Sequence, residues 1–225
     1  MRKLKFRELT VKPLFSAAVV VLLLLVVSIP FIASASKVTT ITVAASSITS
    51  RPSNAQPTTI TTTNFLTYQN STYGIKIQYP SDWLYKEGIA SNSSVQTIVT
   101  FTSPNLVTAA PIGIGKSLVA FTVAVQSLPF HNLSLNTYTN LNVNTLRQSE
   151  PGFQLLMSND TTLAGGNNPA HKITYTVATG MKTMAAYTIK GDKTFILEYI
   201  TGSEATYSSY LPIAQKMLDS FQVTK

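Results

Sequence analysis

Two histidines, His131 and His171, and eight dispersed acids are the side chains in the packable part of this chain that could hold a metal or move a proton. The acids are Asp82, Glu87, Glu150, Asp160, Asp192, Glu198, Glu204 and Asp219. Neither histidine stands at helical spacing from another ligand-type residue, so a metal site would need two or more ligands from distant segments. Read alone, they are a loop histidine and a strand-start histidine at the surface. No two acids show the one-apart spacing of a calcium loop. A Ser-His-Asp triad has no fixed spacing and is left open, but the Gly-x-Ser-x-Gly elbow of an esterase does not occur. Gly113 and Gly115 lack the following helix that a phosphate cradle needs. Glu198 lies within the strand pattern of Phe195 to Ile200 and is expected to face outward, paired with a lysine of the next strand. These residues assign no catalytic group and no cofactor.

Among the elements that carry these groups, Ile75, Ile77 and Tyr79 alternate with Gly74, Lys76 and Gln78, the period of a strand with one buried face. Pro80, Ser81 and Asp82 end it, and Trp83, the single tryptophan, is expected to fold back over the core. Lys86 to Ser94 reads as a polar loop and Val95 to Phe101 as a strand. Leu106 to Gly115 reads as an ordered loop, and Leu118 to Val125, apolar nearly throughout, as a central strand covered on both faces. Ser134 can cap a helix from Leu135 with Tyr138, Leu141, Thr145 and Leu146 on one side. Its many asparagines make it a poor isolated helix, dependent on packing. Phe153 to Ser158 reads as a strand, Asn159 and Asp160 as a turn, and Gly165 to Asn168 as a loop. His171 to Val177 is a strand, and Met184 to Ile189 and Thr194 to Thr201 flank a hairpin at Lys190 to Lys193. Tyr210, Ile213, Ala214, Met217, Leu218 and Phe221 mark an amphipathic helix. The order predicts an α+β class, an antiparallel β-sheet flanked by helices.

Three runs carry a family resemblance. The first is Tyr68, Tyr73, Gly74, Ile75, Ile77, Tyr79, Pro80 and Trp83; the second is Gly166, Pro169 and Ala170 entering a strand; the third runs from Tyr207 to Phe221. In order and spacing the chain from about Phe65 to Val223 resembles the PsbP-like family, named for an extrinsic lumenal subunit of photosystem II. The resemblance implies an α/β/α sandwich. Divalent-metal binding by some members makes His131 and His171 the candidate metal ligands. The quoted motifs are structural residues, specific for the fold and nearly silent on function; the resemblance, together with the export segment, the linker and the missing catalytic constellation, implies a non-catalytic accessory module.

The chain has 225 residues, no cysteine and a formal charge of +8. Arg2, Lys3, Lys5, Arg7 and Lys12 against Glu8 place half of that excess in the first twelve residues. Basic residues ahead of an apolar run are held on the cytoplasmic side, so this is an orientation signal and nucleic acid is not the expected partner. Leu14 to Ala35 carries no charge. It is long enough to span a bilayer, while Ala33 to Ala35 also resembles a cleavage site after Pro30. Residues 1–36 are therefore read as a basic end plus membrane anchor or signal peptide, with everything after Lys37 exported. Residues 37–63, rich in Ser and Thr and without an aromatic, form a flexible linker that would hold the domain about 30 Å from the bilayer. Residues 64–225 form the domain, which lacks disulfides and must live on its core. Asn70, Asn92, Asn132 and Asn159 begin sequons, all in expected loops, and are the glycosylation candidates. The expected function is an exported, membrane-tethered accessory module for a membrane protein complex. The alternative is an exported small-ligand or divalent-metal-binding protein.

Overall fold

The computed structural model describes residues 64–89, 93–104, 119–128, 130 and 132–224. The apolar segment, the linker, the Leu106 to Gly115 loop, Asn92 and His131 lie outside the described residues. Among the described residues no helix is long and apolar enough to cross a membrane.

The alternation of Ile75, Ile77 and Tyr79 becomes strand β2 (Ile75–Pro80), with all three side chains buried. It pairs antiparallel with β1 (Phe65–Asn70) on one side and β10 (Gln222–Val223) on the other. Pairing stops at Pro80, which has no hydrogen to offer a further rung. Trp83 then turns inward, 4% exposed, its ring centroid 6.2 Å from that of Tyr210.

The larger sheet has seven strands: β3 (Leu84–Glu87), β4 (Val95–Thr102), β5 (Val119–Ser127), β6 (Gln154–Leu163), β7 (Asn168–Thr176), β8 (Lys182–Lys190) and β9 (Lys193–Thr201). Their spatial order is β3-β4-β5-β9-β8-β7-β6, every pairing antiparallel. Strand β5 is central and buried from Val119 to Gln126, as its unbroken apolar run predicts. The two-residue turn between β8 and β9 uses Gly191 at φ +61°, a conformation open to glycine without strain.

Helix α1 (Leu135–Ser149) starts where Ser134 Oγ accepts the Thr137 backbone N–H at 3.1 Å, a cap that contributes about 1 kcal/mol. Its buried face is Tyr138, Thr139, Asn142, Val143 and Leu146; Leu141 and Thr145 sit on its flank, rotated from the expected side. The polar Asn142 is admitted because its amide donates to the Tyr138 carbonyl at 2.9 Å. Helix α2 (Glu204–Ser220), capped by Ser203, buries Tyr207, Ala214, Met217 and Leu218.

Two cores result. One, containing Ile75, Ile77, Trp83, Phe121, Tyr199 and Phe221, fills the space between the large sheet and the layer made by α2 and the small sheet. The other, containing Ala120, Tyr138, Leu146, Tyr175, Tyr187 and Ile200, lies between the opposite sheet face and α1. The fold is α+β, three layers with the seven-stranded sheet in the middle. The polar loop expected from Lys86 is shorter than predicted, because Lys86 and Glu87 pair with Thr100 and Val99.

Candidate functional site

Strand β6 ends the large sheet and has β7 as its one neighbour. Asn159 and Asp160 do not turn the chain, contrary to their local preference. Their backbone pairs with Lys172 and His171, and β6 runs unbroken for 10 residues. A full ladder to β7 outweighs turn propensity, which is a weak local term. The strand is exposed from Gln154 to Asp160, and Leu155, Leu156 and Met157 stand 37%, 52% and 52% exposed. A register shift between Leu155 and Met157 marks a bulge there. Among the described residues this is an outer edge of the sheet, with three consecutive exposed apolar side chains, the arrangement that invites another strand.

On one face of β6 and β7 three side chains form a hydrogen-bonded row. Period two puts Ser158 and Asp160 on the same side, and the register sets His171 opposite Asp160 and Ile173 opposite Ser158. His171 Nδ1 lies 2.7 Å from Asp160 Oδ1, and His171 Nε2 lies 2.8 Å from Ser158 Oγ. The histidine side chain is 14% exposed and the aspartate 77%. Sequence reasoning took His171 as a strand-start residue and did not connect it to the other two. The Ser-x-Asp spacing was the available signal, but which histidine would face it depends on strand register. His171 engages both ring nitrogens in hydrogen bonds, and His131 is outside the described residues. Among the described residues no group of three or more His, Cys, Asp or Glu side chains converges.

Glu198 is placed opposite to expectation. It is 2% exposed in the middle of β9, flanked by Thr122 on β5 and Ala185 on β8. It shares a sheet face with Ile196 and Ile200, and α1 roofs that face, so no solvent side exists for it. Among the described residues its Oε2 has no hydrogen-bond partner. Burial, with no neighbouring charge to offset it, pushes the carboxyl up from 4.5 to about 7. The titratable groups around it are Tyr138 of α1, Tyr175 of β7 and Tyr187 of β8, whose hydroxyls burial also pushes up. The lysine pairing expected for Glu198 is instead made by Glu204, whose Oε2 accepts from Lys182 Nζ at 2.8 Å.

A second polar contact links the small sheet to β3. Tyr68 Oη donates to Glu87 Oε1 at 2.9 Å, and burial first, then Glu87, pushes that phenol up to about 12. Of the sequon asparagines, Asn70 closes β1 and accepts the Tyr73 N–H through Oδ1 at 3.1 Å. Asn132 is exposed at φ 64° before α1. Asn159 lies within β6, not in the loop expected for it, although its side chain is exposed.

An antiparallel seven-stranded sheet with one helix on one face, and a helix plus a small sheet on the other, defines a three-layer α+β class. A family model described as PsbP-like protein matches residues 19–223, and the chain belongs to that family. The solution structure of cyanobacterial PsbP (CyanoP) from Synechocystis is similar at a TM-score of 0.51 and 15% identity, covering 73% of this chain and 95% of that one. LpqN of Mycobacterium tuberculosis, described as involved in cell envelope biogenesis, aligns at TM-score 0.49 and 11% identity over 73% and 93% of the two chains. The Saccharomyces cerevisiae Ran-binding protein Mog1p aligns at 0.44 and 9% over 73% and 97%. No curated protein matches the sequence.

Proposed function

We propose that this chain is an extracytoplasmic, membrane-tethered PsbP-like module, residues 64–225, that binds a membrane-associated protein complex and acts as an accessory to it. The observation that carries the reading is the β6 edge. Its partner is an extended protein segment that adds to the sheet through backbone hydrogen bonds, with the Leu155 to Met157 strip as its apolar anchor. Membership of the PsbP-like family supports an accessory role, and the basic end, apolar run and 37–63 linker support tethering on the outer side. A linker of that length keeps the module about 30 Å from the bilayer, within reach of the extramembrane faces of neighbouring complexes.

The test is a photo-crosslinking amino acid placed in the full chain at Leu156 or, as a control, at Gln215 on α2, in membranes of the source cells. Crosslinks to one membrane-complex subunit from position 156 but not 215, lost when Met157→Lys is added, are expected. Equal crosslinking from both positions would remove β6 as the docking edge. Protease added to intact cells should release the module from the membrane by cutting the 37–63 linker; retention of the uncut chain in the membrane would end the tethering model. The metal-binding alternative would draw on His171, and calorimetric titration of zinc into the chain, repeated with His171→Ala, tests it directly.

A further inference from the structure

The Ser158, His171 and Asp160 row has a chemistry of its own. A carboxylate can only accept, so the hydrogen in the 2.7 Å contact with Asp160 Oδ1 belongs to His171 Nδ1. When the ring is neutral, that leaves the lone pair at Nε2, and Ser158 Oγ, 2.8 Å away, is the donor to it. That is the bonding order in which a serine hydroxyl loses its proton as it attacks a carbonyl. His171 is held at both nitrogens and sits beside buried Tyr187, its cross-strand neighbour on β8, so the base is fixed in direction. Ser158 is exposed, and an acyl donor can reach it from solvent.

We propose that Ser158 is an acyl-accepting nucleophile, with His171 as its general base and Asp160 as the positioning residue that fixes the His171 tautomer, and that its substrate class is activated esters or thioesters. Ser158 Oγ bonds to the acyl carbon while its proton passes to His171 Nε2. The tetrahedral centre collapses, the bond to the leaving oxygen or sulfur breaks, and that atom takes the proton from Nε2 and departs as an alcohol or thiol. Nothing is oxidised or reduced, and His171 ends neutral beside an ester of Ser158. The inference covers acylation alone; hydrolysis of that ester would need oxyanion donors that the three residues do not supply. Leu156, about half exposed two residues before Ser158, favours an apolar acyl group. Docking at the β6 edge is read by crosslinking and acylation by modification of Ser158, so the failure of one reading is distinguishable from the failure of the other.

The full chain in detergent is treated with p-nitrophenyl butyrate and, separately, a fluorophosphonate probe, and modified serines are located by peptide mass spectrometry. Ser158 should modify at least about 100-fold faster than Ser209, an exposed serine on α2, and His171→Gln should slow Ser158 by about 100-fold or more. Asp160→Asn should slow it while leaving Ser209 unchanged, and urea-unfolded wild-type chain should lose the Ser158 advantage, a check that does not depend on any variant folding. Modification of Ser158 no faster than Ser209, or an unchanged Ser158 rate in folded His171→Gln, would overturn the proposal. An unchanged rate in Asp160→Asn would overturn the positioning role.

Discussion

Replacing Glu198 by Gln keeps shape and size but removes the charge, and the structure sets both sign and size of the effect. In the unfolded chain this carboxyl ionises near its ordinary value of 4.5; in the folded protein burial raises that to about 7. Below pH 4.5 the proton is on in both states and the two proteins differ by a constant. Between pH 4.5 and about 7 the unfolded state releases the proton and the folded state keeps it, so wild-type stability falls by up to about 1.4 kcal/mol for each pH unit. Above about pH 7 both states have lost the proton and the loss levels off at about 3 kcal/mol. Glu198→Gln lacks this loss. Its advantage over wild type should therefore grow by about 3 kcal/mol from pH 4.5 to pH 7.5, or about 6–12 °C in Tm for a domain of this size. Urea unfolding followed by the emission of Trp83, the single tryptophan, reports it. Other titrating groups cancel in the difference between the two proteins. If the two stability curves run parallel across that range, Glu198 does not carry an uncompensated burial cost and the argument fails.

Ile77→Asp should destabilise by roughly 3–5 kcal/mol and Lys76→Asp by less than about 1, since Ile77 is fully buried and Lys76 half-exposed; equal losses in urea titrations would mean the β2 register is misplaced. Gly88→Ala should cost about 2 kcal/mol or more, because its Cβ would fall 1.9 Å from the Thr97 backbone oxygen, next to the β4 bulge; thermal unfolding measures it, and an unchanged Tm would contradict that close approach. Native Trp83 should emit well to the blue of tryptophan in water and move red on unfolding, and emission at the aqueous position in the native protein would refute its packing against Tyr210.

Several features were legible in the chain because short-range rules fix them. The β2 alternation needs one wet and one dry face, and it has them. Ser134 caps α1 because its oxygen reaches the Thr137 N–H within one turn, and Gly191 supplies the positive φ of the β8–β9 turn. Trp83 had no apolar alternative to the core. The α+β class followed from the order of these elements, and the family motifs agreed with it because they are themselves turn and core residues.

The candidate site was another matter. Ser158 and Asp160 share a face by strand period alone, but His171 meets them only through the register that the Ala164–Gly166 turn imposes on β6 and β7. Asn159 and Asp160 look like a turn in sequence, and only the ladder to β7 keeps them extended. Glu198 is the sharpest case. Its alternation in β9 shows that it shares a side with Ile196 and Ile200, and a charge there suggests a wet side. In the folded protein α2 and the small sheet cover one face of β9 and α1 covers the other, so both alternating sets are dry. A strand's sequence records which residues lie together on a face; whether water reaches that face is decided by the layers packed above it, and those come from elsewhere in the chain.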